Sequence, residues 1–129
     1  MRNRVIVGGV VAAVLIWGSA GAFAGPWEDG MALYNRGDYE PAIRLFRPLA
    51  ERGNPKAQQQ VAVMYRNGEG VPQNPKRAFM WFSFAAARGD AKAKAAVRAM
   101  SKDMTPQEMS QVSEMAQACE ASNYRNCEY

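Results

Sequence analysis

Between Tyr39 and Arg52 the apolar residues Ala42, Leu45, Phe46, Leu49 and Ala50 recur at i, i+3, i+4, i+7 and i+8, with Arg44, Arg47 and Glu51 off that face. This spacing predicts an amphipathic helix. Pro41 suits its first turn, and Gly53 ends it by accepting positive φ. Pro48 inside the helix implies a kink or a missing hydrogen bond. From Pro55 to Asn67 the next face is Ala57, Val61, Met64 and Tyr65. Two adjacent stripes follow between Pro75 and Arg88, Ala78/Trp81/Ala85 and Phe79/Phe82/Ala86. So wide an apolar surface predicts a central helix covered on more than one side. Ala93, Ala96, Val97 and Met100 define a further helix over Ala91 to Lys102. The last helix has Thr105 as N-cap, Pro106 at N1 and Glu108 at N3, a capping box, and Met109, Val112, Ala116 and Cys119 as its buried edge. With a first helix at about Glu28 to Arg36, six helices are expected. No stretch alternates with period two for long enough to form a strand.

The helical patterns repeat. Residues 42–57 align with residues 78–93 at an offset of 36, with seven of sixteen positions identical: Ala42/Ala78, Phe46/Phe82, Ala50/Ala86, Arg52/Arg88, Gly53/Gly89, Lys56/Lys92 and Ala57/Ala93. The same offset pairs Val61 with Val97 and Met64 with Met100. The register survives a glycine turn from one helix to the next, which a chance match within one helix would not do. Each unit is therefore a helix pair that buries the face its neighbour exposes, and the terminal helix serves as a cap.

Ahead of the repeats, Arg2 and Arg4 precede the apolar run Val5 to Trp17, and Ala22-Phe23-Ala24 has the small residues of a cleavage site. The pattern is that of a signal peptide over residues 1–24, with an uncleaved anchor as the alternative, and the run falls short of the about 20 apolar residues of a membrane span. The expected organisation is signal peptide 1–24, helical repeats 25–118 and a tail 119–129. The expected location is the periplasm or the exterior, with no stable membrane span after cleavage. Without Arg2 and Arg4 the chain has 14 basic residues against 12 acidic, too even a balance to argue for nucleic acid. The charge is unevenly spread, since residues 44–102 hold twelve Lys or Arg and three acids.

Chemistry narrows further. Histidine is absent, which removes the commonest general base and metal ligand. Cys119 and Cys127 are the only cysteines, too few for a closed zinc site and not spaced as C-x-x-C. In an oxidising compartment a structural disulfide is the preferred reading. Glu28, Asp29, Asp38 and Glu40 fall at helix N-termini and turns, where the helix dipole favours them. Gly68-x-Gly70 lacks the context of a phosphate loop. No enzyme activity, cofactor or metal is expected.

The run Ala57, Val61, Met64, Tyr65, Gly68-Glu69-Gly70-Val71, Lys76, Ala78, Trp81, Ala85-Ala86 and Gly89 resembles a Sel1-like repeat, a relative of the tetratricopeptide repeat. Gly37-Asp38-Tyr39-x-x-Ala42 with Ala50-Glu51-Arg52-Gly53 is similar to the entry half-repeat, and the resemblance extends over about residues 30–116. Ala62 departs from the usual glycine. The resemblance implies an all-α fold, antiparallel helix pairs stacked as a short right-handed superhelical solenoid. In physical terms Gly68 and Gly70 permit a tight connection where a Cβ would clash. Val71 plugs the end of the helix pair, and Ala85/Ala86 allow close helix approach. Trp81 is core rather than ligand platform. The C-x7-C pair is similar to that of cysteine-stapled Sel1-like proteins, which implies a bond from the last helix to its own tail.

The family habit of binding on the side lined by the first helix of each pair implies a protein or peptide partner. The offset aligns Gln58, Ala62 and Arg66 with Lys94, Arg98 and Lys102, and the last three form a basic stripe at i, i+4, i+8. Gln58, Arg66, Lys94, Arg98 and Lys102 are thus candidates for a groove that takes an acidic or extended peptide or an anionic envelope component; an ordinary solvated face is the alternative. The protein would act as a monomer or as a subunit of a hetero-complex. Two other readings stand beside the scaffold: an accessory subunit of an envelope assembly, and the penicillin binding or weak β-lactam hydrolysis linked with some cysteine-stapled relatives, for which no serine motif is present.

Overall fold

The computed structural model describes residues 24–127. The signal segment and its cleavage pattern, Ala24 apart, lie outside the described residues. Six helices follow in order: α1 (Pro26–Asn35), α2 (Tyr39–Glu51), α3 (Pro55–Asn67), α4 (Pro75–Ala87), α5 (Ala91–Ser101) and α6 (Pro106–Ala121). No strand occurs among the described residues. The expected boundaries agree to within two residues, because local chemistry sets them. Asn54, Asn74, Asp90 and Thr105 each accept a hydrogen bond from the backbone N–H three residues on, at 3.1, 3.0, 2.7 and 3.2 Å. Pro stands in the first turn of α1, α3, α4 and α6, where its missing donor costs nothing. Pro48 is accommodated inside α2, which stays continuous.

Three turns share one construction. Arg36-Gly37-Asp38, Arg52-Gly53-Asn54 and Arg88-Gly89-Asp90 each place an arginine at the C-cap and a glycine at positive φ. The next N–H then returns to the carbonyl of Leu33, Leu49 or Ala85 at 2.9, 3.0 and 3.0 Å. This closes the helix as a Schellman motif, and the third residue is already the N-cap of the following helix. A helix can hardly be followed more tightly by another, so consecutive helices become antiparallel neighbours.

Packing is sequential: α1 on α2, α2 on α3, α3 on α4, α4 on α5. The chain is an all-α stack of antiparallel helix pairs. α4 is the central helix, as its two stripes predict, with Ala78, Phe79, Met80, Trp81, Phe82, Phe84 and Ala85 all buried. Trp81 is core, its ring edge-on to Phe84 at 5.6 Å. The link between α3 and α4 is seated on the preceding pair. Tyr34 Oη donates to the Glu69 carboxylate (3.0 Å to Oε2), and a Cβ on Gly70 would lie 2.6 Å from the Tyr39 carbonyl carbon. Val71 is half-buried against the core.

The C-terminal end differs from the repeat pattern. α6 leans on α4 rather than closing tightly over α5. As a result Ala93 is the only buried residue of α5, while Ala96, Val97 and Met100 are half-exposed. Met109, expected on the buried edge of α6, is exposed; Val112 and Cys119 are buried. Cys119 and Cys127 form the disulfide, Cα–Cα 4.5 Å, and fold the tail back so that Tyr124 meets Phe84 edge-on at 5.3 Å.

Candidate interaction surface

The face shared by the first helices of the pairs carries a groove of about 410 Å³ lined by Trp27 and Met31 of α1, Lys56, Gln59 and Gln60 of α3, and Asp90, Ala91 and Lys92 at the start of α5. Its volume lies within the roughly 300–1,000 Å³ of ligand-binding clefts. The groove exists because tight turns bring helices far apart in sequence side by side. Trp27 is held by a tilted ring contact with Phe46 at 5.2 Å, which a close approach at Gly30 allows: a Cβ there would stand 2.5 Å from the Phe46 ring. Gln60 is 8% exposed, its amide turned inward. The Tyr34 hydroxyl lies near that amide; burial, then the Glu69 carboxylate, raises the Tyr34 pKa, and the amide offsets part of the rise. Asp90 already uses Oδ1 to cap α5.

The stripe anticipated from the repeat offset lies elsewhere. Lys94 and Arg98 line a separate cavity of about 290 Å³ with Ala86 and Val97, at the seam between α4 and α5. Residues two apart on a helix point to opposite sides, so Lys92 and Lys94 serve different faces of α5. Lys102 is exposed at the C-cap of α5. Arg66 is exposed, its guanidinium carbon 5.3 Å from the Phe82 ring centroid. Gln58 must be withdrawn from the binding surface. It is fully buried, its Nε2 donating to the Ala50 carbonyl at 3.1 Å, and Ala62 is buried with it. The reason is tertiary. The seam between α2 and α3 is overlaid by the following repeat, whose Arg88 guanidinium covers Gly53, whereas the equivalent seam between α4 and α5 is open.

A third cavity, of about 330 Å³, separates the ends of α4, α5 and α6 and is lined by Pro75, Lys76, Met100, Asp103, Met104 and Glu108. Lys76 Nζ donates to Gln111 Oε1 at 2.9 Å across that junction. Among the described residues no three His, Cys, Asp or Glu side chains are placed to hold a metal ion, and no helix is long and apolar enough to cross a membrane. Ala57, Tyr65 and Ala78 are buried, Ala86 half-buried, and Gly68, Gly70 and Gly89 take positive φ. The motif residues are therefore structural, and the groove-lining Trp27, Met31, Lys56 and Lys92 escaped a reading built on the stripe. For the two lysines the signal was the identity Lys56/Lys92 within the repeat.

Residues 55–90 match the Sel1 repeat family model, which spans α3, the connection seated on α2, and α4 through its closing turn. A comparison with curated proteins found no match.

Proposed function

Taking the chain as a Sel1-repeat protein, and such repeats as protein-interaction scaffolds, we propose that it is an exported, non-catalytic scaffold that holds a peptide or protein segment along the face shared by α1, α3 and α5. The observation that carries this reading is the groove itself. It crosses three helices and pairs an apolar wall (Trp27, Met31) with the exposed Lys56 and Lys92 and the half-buried Gln59. Export is supported by the N-terminal pattern of Arg2, Arg4, Val5 to Trp17 and Ala22-Phe23-Ala24, and by a disulfide that an oxidising compartment would preserve. The non-catalytic reading rests on the absence of histidine from the sequence and on the use of both cysteines as a bridge.

A photo-crosslinking side chain placed at Gln59, half-buried at the groove, tests the proposal in intact cells. A discrete crosslinked protein from position 59, abolished by Met31→Glu, is the expected result. Crosslinks that arise only from Glu114, exposed on α6, would place the interaction elsewhere. A second reading, an accessory subunit that docks by its C-terminal end, is favoured by the half-exposed Val97, Met100 and Met104 and the exposed Met109. A crosslinker at Ala99 would then be the productive one.

A further inference from the structure

We propose that the α1/α3/α5 groove selects acidic peptide segments, with a carboxylate held between Lys56 and Lys92 and a neighbouring apolar side chain against Trp27 and Met31. The inference rests on the groove being the binding face and adds the chemistry of what it takes. Lys56 and Lys92 occupy the same place in successive repeats and line one cavity. Neither forms a salt bridge among the described residues. Two like charges that share a groove repel one another, and a ligand carboxylate between them would relieve the repulsion.

The surroundings add to that bias. The Gln59 side chain makes no hydrogen bond among the described residues. Among the described lining residues Asp90 is the one carboxylate; its Oδ1 caps α5, and its charge offsets part, not all, of that of the two lysines. The N-termini of α3 and α5 contribute the positive ends of their dipoles there. A peptide is the occupant these features fit. The apolar wall suits a side chain, the Gln59 amide suits a backbone, and a polyanion with no apolar part would leave Trp27 and Met31 unused. Complementary charge across such a site mainly sets selectivity and encounter rate.

The test uses fluorescence anisotropy with short labelled peptides that alternate Leu with Asp, Asn or Lys, and with a labelled oligothymidylate. The Asp peptide should bind about tenfold more tightly than the Asn peptide at low salt and lose that margin as salt rises. K56E/K92E, which changes two exposed side chains, should reverse the order so that the Lys peptide binds best. K94E/R98E, at the other cavity, should leave the preference intact. Circular dichroism on each variant confirms that the helices are retained. Equal binding of the Asp and Asn peptides, both lost in Met31→Glu, would overturn the charge selectivity while leaving the groove as the binding face. Binding of none of the peptides would overturn the acidic-peptide proposal, while the crosslink from position 59 would independently decide the fate of the groove. Oligothymidylate binding that exceeds that of the Asp peptide and vanishes in K56E/K92E would replace the peptide by a polyanion.

Discussion

Replacing Gly70 by alanine should cost far more than replacing Gly68, although the two glycines share one loop and a positive φ. Their φ values are +71° at Gly68 and +72° at Gly70, so the penalty for a left-handed L-residue is common to both, about 1–2 kcal/mol. Space separates them. A Cβ at Gly68 would meet Gln73 at 3.3–3.4 Å, a contact that a small adjustment absorbs. A Cβ at Gly70 would stand 2.6 Å from the Tyr39 carbonyl carbon, 2.7 Å from its oxygen and 2.8 Å from the Glu40 nitrogen. Those atoms belong to the first turn of α2 and cannot move aside as a flexible side chain would. Overpacking of that kind adds about 1–3 kcal/mol, for a total of about 2–5 kcal/mol in G70A. For a domain of this size each kcal/mol lowers the melting temperature by about 4–8 °C. Urea unfolding followed by circular dichroism measures both variants against the parent. If G68A and G70A fall within about 0.5 kcal/mol of each other, the α3–α4 connection is not seated on α2 as described.

The remaining expectations concern the core, the staple and the last helix. Met64→Ala should destabilise by about 2–5 kcal/mol, whereas its repeat-equivalent Met100→Ala, half-exposed beside an open cavity, should cost clearly less; equal losses in urea unfolding would mean that α5 is as well covered as α3. Cys127→Ser should remove about 2–3 kcal/mol under oxidising conditions and nothing once reductant is present; an equal loss in both would deny the Cys119–Cys127 staple its role. Thr105→Ala should cost about 1 kcal/mol through the lost N-cap. The Glu108 carboxylate is held below its ordinary pKa first by the Thr105 N–H, at 2.8 Å, and then by the Thr105 hydroxyl, at 3.1 Å. A depressed folded-state pKa means its contribution is complete above the unfolded-state value and disappears as pH falls through the folded one. An NMR titration should therefore show the Glu108 pKa rising part of the way back in Thr105→Ala, since the backbone donor remains; no change would remove the hydroxyl from the cause.

Much of this architecture is local and so is legible along the chain. Prolines in first turns, Asn54, Asn74, Asp90 and Thr105 as caps, and glycines 37, 53 and 89 after arginine each act within four residues. Helix limits therefore follow from short-range chemistry. The 36-residue repeat and the spacing of Cys119 and Cys127 are likewise visible without coordinates. Even the centrality of α4 is legible, because two apolar stripes on one helix require two neighbours.

Equivalent positions in the repeats, by contrast, need not have equivalent surroundings. Gln58 and Lys94 align, yet one is sealed in the core and the other is exposed at an open cavity. Met64 and Met100 align, yet only the first is fully buried. A periodic sequence specifies which face of each helix is apolar, but what covers that face depends on the next helix in the stack. Near the C-terminal end α6 leans on α4 and leaves α5 partly uncovered. The groove is decided the same way. Trp27, Lys56 and Lys92 come from three helices whose adjacency arises only when the pairs stack, so no window of sequence contains the surface they form together.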